Sequence, residues 1–202
     1  MSAIAPPNIV LGPELAGIFL TPEEFDAIQE ADRDYRYELI NGRLIVVPPP
    51  LEAERGPNEE LGHRLLTYRD SHPQGSALDD TLPEQTVITH SNRRRADRVI
   101  WTGLGRQPVP QQDLPSIVAE WVSESKRDWQ RDYLEKREEY RNIGIVEYWI
   151  FDRFRRALTV YRGTPEAPEE LTVHEGDIYR TPLLPGFELS LAQLLAVADR
   201  WQ

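Results

Sequence analysis

Acidic side chains inside apolar, strand-like runs are the residues of this sequence best suited to chemistry. Glu120 lies within the apolar run 117–122, and Asp97 lies just before the apolar run 99–101. A carboxylate in such a strand costs free energy unless a cation or hydrogen-bond donors meet it. Two carboxylates that converge on one point repel each other unless they share a hard divalent cation, and Mg²⁺ suits oxygen ligands. Asp97 and Glu120, on consecutive predicted strands, are therefore candidate metal ligands.

Two further charged residues are candidates, each with a simpler alternative. Glu38 lies between apolar neighbours in another predicted strand, but alternate positions of a half-exposed strand face water, so an outward-facing role is an equal alternative. Lys136 follows Asp132 by four residues in a predicted helix, and a solvated ion pair between these two is the simplest interpretation. The alternative is that Lys136 points at the acid of the preceding strand. Gln130, near the start of the same helix, is a further candidate for that point.

The composition restricts the class of protein. The 202 residues are enough for one domain, and 40% of them are hydrophobic, which can fill a core. The absence of cysteine excludes disulfides, thiolate catalysis and zinc–cysteine sites, and it suits a reducing cytoplasm, where we expect the protein to be located. No apolar run approaches the roughly 18 residues of a membrane helix, and no signal-peptide pattern opens the chain. We therefore expect no membrane association.

The charge balance bears on nucleic-acid binding. A net charge of −11 argues against binding through overall charge, but it leaves a local basic patch open. Arg93, Arg94 and Arg95 form such a run just before Asp97. This run could bind a nucleic-acid backbone or form a solubilising loop, and the two interpretations are equally favoured.

Breaker and capping residues organise the first part of the chain. Prolines and a glycine within residues 1–20 predict a flexible N-terminal leader, and residues 21–202 are predicted to form a single domain. Thr21, followed by proline and then by Glu24, is typical of a helix start, for a short helix that ends near residue 30.

The remaining pattern predicts an α/β fold. Asn41-Gly42 between two β-rich runs predicts a hairpin, because both turn positions favour positive φ. The other predicted elements are a helix at 58–70, strands at 84–90, 95–101 and 116–122, a helix at 128–142, strands at 145–152, 157–161, 170–174 and near 178, and a last helix capped by Ser190. A mixed sheet with antiparallel hairpins and one strand–helix–strand crossover, flanked by helices, follows from this order.

A series of motifs in this order carries a family resemblance. The motifs are Tyr37-Glu38-Leu39-Ile40-x-Gly42-x-Leu44, Asp97 in a strand, Glu120-x-Val122-Ser123, Arg131-Asp132-Tyr133-x-x-Lys136-Arg137-x-Glu139-Tyr140, and Gly144-Ile145-x-Glu147-Tyr148-Trp149-Ile150-x-Asp152. Together they resemble the Uma-two family of proposed restriction endonucleases, in the PD-(D/E)XK nuclease superfamily. The resemblance spans roughly residues 21–162 and implies a restriction-endonuclease-like mixed sheet.

The resemblance also implies a set of catalytic residues. Asp97 and Glu120 match the two acids that bind Mg²⁺, for which Mn²⁺ can substitute. The position of the usual motif lysine holds Val122, and Lys136 on the following helix matches the lysine of this family instead. Glu38 matches the acid of the N-terminal hairpin and is implied as an additional metal ligand or a residue behind the ligands.

The implied function is a Mg²⁺-dependent DNA endonuclease that acts as a homodimer, so that both strands are cut. Tyr140, Tyr148 and Trp149 match family positions that we assign to core packing. Three residues depart from the family: Ala96 where a proline is common, Glu124 where a proline often follows Val-Ser, and Asn58 where many members carry histidine. Asn58 can hydrogen-bond but cannot titrate near neutral pH, which argues against a proton-transfer role at this position.

Two alternatives to the endonuclease stay open. The acidic balance, Val122 and Asn58 favour a non-catalytic member that keeps the fold as a nucleic-acid-binding or protein-interaction module. A glycosidase-like pair of carboxylates is the weaker alternative, because no aromatic sugar-binding motif accompanies the acids.

Overall fold

The computed structural model describes residues 9–123, 131–164 and 167–201, with residues 131 and 132 described by their backbone alone. The chain divides into two compact units. The N-terminal unit contains the residues up to Pro49 together with Thr86–Arg95, and the main unit contains Pro50–Gln85 and the residues from Ala96 onward. The strands β5 (Leu78–Ile88) and β6 (Arg93–Thr102) each run from one unit into the other.

The N-terminal unit is built from short strands and one helical turn. Its elements are β1 (Val10–Leu11), α1 (Pro22–Asp26), β2 (Glu30–Ala31), β3 (Arg36–Ile40) and β4 (Arg43–Val47), with a 3₁₀ turn at Pro13–Leu15. β1 pairs with β2 in parallel, and β3 pairs with β4 as an antiparallel hairpin. A small core of Leu11, Leu20, Leu39 and Leu44 holds the unit together.

In this unit, the predictions that depend on neighbouring residues are confirmed. Asn41 and Gly42 adopt φ of 51° and 75°, as the predicted hairpin turn requires. The backbone N–H of Glu24 donates to the Thr21 hydroxyl, and the Thr21 N–H donates to the Glu24 carboxylate, which completes the capping box. The helix ends at Asp26, earlier than predicted, because the chain turns into β2.

The segment predicted to be a flexible leader differs from that expectation over residues 9–20. It contains β1, a 3₁₀ turn and the buried Leu11, and the Gly17 N–H donates to the Leu44 carbonyl oxygen. Proline and glycine counts report local breaks in the chain, and they do not register pairing with distant residues. Residues 1–8 lie outside the described part of the chain.

The main unit is a mixed sheet with helices. Its further elements are α2 (Glu52–Ser71), β7 (Ile117–Trp121), α3 (Lys136–Ile143), β8 (Glu147–Asp152), β9 (Ala157–Gly163), β10 (Pro168–His174), β11 (Ile178–Tyr179), β12 (Leu189–Ser190) and α4 (Leu191–Ala198), with a π-helical turn at Arg131–Glu135 and 3₁₀ turns at Gly75–Ala77 and Asp199–Trp201. Its strands lie in the order β10-β9-β8-β7-β6. β7 and β8 are parallel, as the predicted crossover requires, and their other neighbours are antiparallel.

The two faces of this sheet bury different helices. On β7 and β8, the apolar odd-numbered side chains pack with Leu61 and Leu65 of α2 and with the leucines of α4 in one apolar core; they are Ile117, Ala119, Trp121, Trp149 and Phe151. The even-numbered side chains face α3, where Tyr140 packs edge-on against Tyr148. Glu120 belongs to this second face. Among the described residues, no helix is long and apolar enough to cross a membrane.

Helix α2 starts earlier than its spacing predicts. It begins at Glu52, six residues before the predicted start, and contains Pro57 in its interior. The Glu54 carboxylate accepts a hydrogen bond from the Leu51 N–H at 3.2 Å, which satisfies a donor at the helix start. A proline is a helix breaker on average, and burial of Ala53 and Pro57 against the rest of the unit stabilises this helix in spite of it.

A close approach of α2 to β6 depends on Gly62. A Cβ atom at this position would lie 2.5 Å from Nη2 and 2.7 Å from Nη1 of Arg98. That guanidinium cannot easily move, because Arg98 is buried, with Nε bonded to Asn58 and Nη1 bonded to Thr81. Gly62 therefore sets the distance between the helix and the strand.

We predict that Gly62→Ala destabilises the protein by up to about 2 kcal/mol. Overpacking costs about 1–3 kcal/mol, and the better helix propensity of alanine offsets about 1 kcal/mol of that. Urea unfolding measures the change. The same substitution in an Arg98→Met background should be neutral or stabilising, and an equal loss in both backgrounds would contradict the proposed clash.

Candidate active site

A buried ion pair between β7 and α3 forms the centre of the candidate site. The Lys136 Nζ lies 2.8 Å from Glu120 Oε1, and the two side chains are 2% and 4% exposed. Lys136 is therefore not part of a solvated helix surface, so the interpretation as a solvated ion pair is wrong for it. A buried carboxylate and a buried ammonium are each costly to remove from water, so each depends on the other.

Tyr140 completes the environment of Glu120 and was assigned only to packing from the sequence. Its hydroxyl donates to Glu120 Oε1 at 3.2 Å, and the whole side chain is buried. Tyr140 follows Lys136 by four residues, so both lie on the same face of α3. That spacing was visible in the sequence, and it is the signal that could have linked the tyrosine to the site.

Asp97 reaches the end of β7 from the neighbouring strand. Its Oδ2 accepts a hydrogen bond from the Trp121 N–H at 2.7 Å. β6 and β7 pair in a register with Arg98 opposite Ala119, so the next pair in that register is Asp97 and Glu120. Opposed residues of an antiparallel pair share a face, with Cβ atoms about 5 Å apart. The structure therefore brings Asp97, Glu120 and Lys136 together.

Asn58 supports Asp97 from α2. Its Nδ2 donates to the Asp97 carbonyl oxygen at 2.9 Å, and its Oδ1 accepts from the Arg98 Nε at 2.8 Å. The amide thus connects the backbone at Asp97 to a buried guanidinium, and no proton transfer is needed of it. Arg98 has no carboxylate within ion-pair distance among the described residues, and burial lowers its pKa.

Glu38 and the arginine run belong to the N-terminal unit and pair there. Glu38 is buried, accepts a hydrogen bond from the Arg95 N–H at 2.8 Å, and has Oε2 3.9 Å from Nη1 of Arg94. Arg93 makes a two-point ion pair with Asp26. Arg93 and Arg94 are buried in a strand. The two predictions for them, a solubilising loop and exposed side chains that bind a nucleic-acid backbone, are therefore both wrong. The outward-facing alternative for Glu38 is also wrong, and its role as a metal ligand stays a prediction.

Other predicted participants lie outside the described residues. Gln130 and Glu124 fall in the segment 124–130, and the side chain of Asp132 is also undescribed. Val122 is buried at the end of β7, and its N–H donates to the Phe151 carbonyl oxygen at 2.9 Å.

The donor chemistry of the site fits a hard divalent cation. Asp97 and Glu120 supply carboxylate oxygens, and Mg²⁺ needs only one or two protein carboxylates because it keeps several waters. Among the residues that the structure describes, no group of three or more His, Cys, Asp or Glu residues could hold a metal, so the site would rest on two carboxylates. The roles of Asp97 and Glu120 as metal ligands stay predictions.

Tyr133 anchors the segment that leads into α3. Tyr133, in the π-helical turn, donates its hydroxyl to Asp152 Oδ2 at 3.3 Å at the end of β8. Burial, with the nearby Asp152 carboxylate, raises the pKa of Tyr133 to about 12. This contact ties the start of the lysine-bearing helix to the sheet.

Comparisons with known proteins identify the family and the fold. The family model Uma2, described as putative restriction endonuclease, matches residues 22–192, farther along the chain than the motifs indicate. Among solved structures, a putative nuclease belonging to DUF820 from Anabaena variabilis matches with a TM-score of 0.67 and 17% identity, over 89% of this chain and 99% of that chain. At this identity the likeness shows the fold, and it confirms the predicted nuclease-like mixed α/β sheet. A search of curated proteins gave no match.

We predict that Lys136→Met destabilises the protein by about 3–5 kcal/mol, because Glu120 would stay buried without its cation. In a Glu120→Gln background the same substitution should cost much less, since no charge remains to be compensated. Urea unfolding of the two single variants and the double variant measures the coupling. Equal costs in both backgrounds would show that the two residues do not stabilise each other.

We also predict a contribution of Tyr133 to alkaline stability. Its pKa is raised from 10.0 to about 12 in the folded state, so its contribution is complete below pH 10 and is lost as the pH rises through about 12. Tyr133→Phe cannot ionise, and its unfolding free energy should therefore fall less steeply over this interval. Unfolding midpoints of both proteins across the interval test this, and parallel curves would contradict it.

Proposed function

The chain belongs to the Uma2 family of putative restriction endonucleases, and from this premise we propose that it is a metal-dependent DNA endonuclease that hydrolyses phosphodiester bonds. The observation that carries the proposal is the placement of Asp97, Glu120 and Lys136 around one end of β7. This acid–acid–lysine set suits metal-assisted phosphodiester hydrolysis, because two carboxylates can hold Mg²⁺ and a lysine can offset developing negative charge.

Each residue of the set has a role in the proposed reaction. Asp97 and Glu120 would hold Mg²⁺, or Mn²⁺ in its place, and the bound cation would acidify a water and offset charge on the phosphate. Lys136 orients the attacking water and offsets the negative charge that develops in the transition state. Tyr140, bonded to the same oxygen of Glu120 as Lys136, fixes the orientation of that carboxylate. Asn58 positions the backbone at Asp97.

The assembly and location follow from the same proposal. Cleavage of both strands of a duplex calls for two sites, so we propose that the protein acts as a homodimer on DNA. A chain without cysteine is suited to the cytoplasm, where its DNA substrate would be found.

One observation favours the non-catalytic alternative. Lys136 compensates Glu120 directly, and both are almost completely buried, so the pair is satisfied within the protein itself. A fold that retains this pair for stability alone would bind no divalent ion. Calorimetric titration with Mn²⁺ separates the two functions, because the endonuclease should bind the ion and Glu120→Gln should abolish the binding.

We predict that the protein cleaves DNA with Mg²⁺ or Mn²⁺ and that Asp97→Ala, Glu120→Gln and Lys136→Met each lower the cleavage rate at least about 100-fold. The assay follows supercoiled, linear and single-stranded DNA on gels. Glu147→Gln is the matched control, because Glu147 is a buried strand carboxylate that accepts bonds from Trp149, Tyr179 and Thr181 instead of a cation.

The control should retain cleavage for as long as it remains folded, which circular dichroism monitors. Failure of the wild-type protein to cleave any DNA form, or unchanged cleavage by Asp97→Ala, would rule out the proposed function.

A further inference from the structure

The turn that joins β8 to β9 combines positive charge with an exposed ring. Its residues are Arg153, Phe154, Arg155 and Arg156. Phe154 is 48% exposed, and the Arg153 guanidinium lies over its ring, 4.2 Å from the ring centre. An arginine stacked on an exposed phenylalanine forms a flat surface that is both cationic and aromatic.

The turn is held in a defined shape by Asp152. Its Oδ1 accepts hydrogen bonds from the N–H groups of Phe154 and Arg155 at 3.0 and 2.9 Å. The Arg155 guanidinium lies 5.7 Å from the centre of the Tyr133 ring, which belongs to the segment leading to Lys136. The turn and the segment that leads to Lys136 are therefore anchored to the same residue, Asp152, at the end of β8.

The arginines of the turn differ in their partners. Arg156 is neutralised by Glu175 and Asp199. Arg155 is 61% exposed, with Nε 3.7 Å from Asp152 Oδ2. Among the described residues, Arg153 has no ion-pair partner, and its Nε is buried without a hydrogen bond. In a protein of net charge −11, an incompletely neutralised arginine turn is a notable local exception.

The strand register places this turn at the same end of the sheet as the candidate site. β7 and β8 are parallel, with Glu120 opposite Ile150 and Trp121 opposite Phe151, so their carboxyl ends meet at the same edge. β8 ends at Asp152, so the turn directly follows the end of the strand that pairs with β7.

We propose that the turn Arg153–Arg155 is a DNA-contacting element, which binds the DNA strand beside the candidate site. The inference rests on the proposed function and extends it. Arg153 and Arg155 bind phosphate oxygens through charge-assisted hydrogen bonds, and Phe154 stacks on an exposed base. Asp152 orients the turn for this contact and does not touch the DNA.

Binding of fluorescein-labelled DNA, followed by anisotropy without divalent ions, tests the element. The variants are Arg153→Gln, Arg155→Gln and Phe154→Ala. Arg180→Gln is the matched control, since Arg180 is also 61% exposed and carboxylate-paired but lies beside β11. Each glutamine variant should reduce the slope of log affinity against log salt by about 0.9 for a duplex. Phe154→Ala should weaken single-strand binding about 5-fold or more.

Arg153→Lys keeps the charge and should keep the wild-type salt slope, and unfolding midpoints confirm that the variants are folded. Wild-type affinity and slope in all three turn variants would overturn the inference, and a cleavage loss in Asp97→Ala would still support the proposed function. A wild-type protein that binds DNA through the turn but never cleaves would support the inference and reject the endonuclease. An absence of any DNA binding would overturn both the inference and the proposed function. A change of oligomeric state in Phe154→Ala with unchanged DNA binding would overturn the inference about the turn.

Discussion

The buried contact between Glu120 and Lys136 is the interaction on which the main unit depends. It joins the middle of a sheet to the crossover helix, at a place where neither charge can reach bulk water. Because either partner alone would be an uncompensated buried charge, the helix can occupy only the position in which its ammonium meets the strand. The parallel pairing of β7 with β8, the edge-on packing of Tyr140 against Tyr148 and the anchoring of Tyr133 at Asp152 are all compatible with that one position.

The two faces of the sheet have different tasks. The face toward α2 and α4 is mainly an apolar core, in which the side chains of Arg98 and Glu147 are also buried, and the face toward α3 carries the polar cluster of the candidate site. Alternation along β6 and β7 is enough to create this division, since Asp97 and Arg98 are neighbours in sequence but point to opposite sides. Neighbouring residues of one strand therefore contribute to the core on one face and to the candidate site on the other.

The sequence predicts those parts of this arrangement that depend on neighbouring residues. The capping box at Thr21 and the turn at Asn41-Gly42 follow from side chains within a few positions of each other. Only the family resemblance predicted that Lys136 lies at the candidate site and not on a solvated helix surface, because helical spacing does not encode the distance to a strand. The early start of α2 in spite of Pro57 depends on tertiary packing.

Contacts between distant residues also decided the roles of several polar residues. The ion pair of Arg93 with Asp26 and the burial of Arg94 beside Glu38 join positions more than fifty residues apart, which no local pattern reveals. The same holds for Asn58, whose hydrogen bonds to Asp97 and Arg98 span about forty residues. Tyr140 is different, since its spacing from Lys136 was visible and only its partner was unknown.

The charges of Asp97, Glu120 and Lys136 do not cancel among themselves. Asp97 and Glu120 contribute two formal negative charges and Lys136 contributes one positive charge, so the three carry a formal charge of −1. A divalent ion that enters would change this charge to +1, which one phosphodiester would cancel. Metal and nucleic-acid affinities would then be thermodynamically linked, each raising the other by the same factor. Such a centre would hold its metal more tightly when DNA is bound, and this coupling would limit hydrolysis to the moment when the strand is in place.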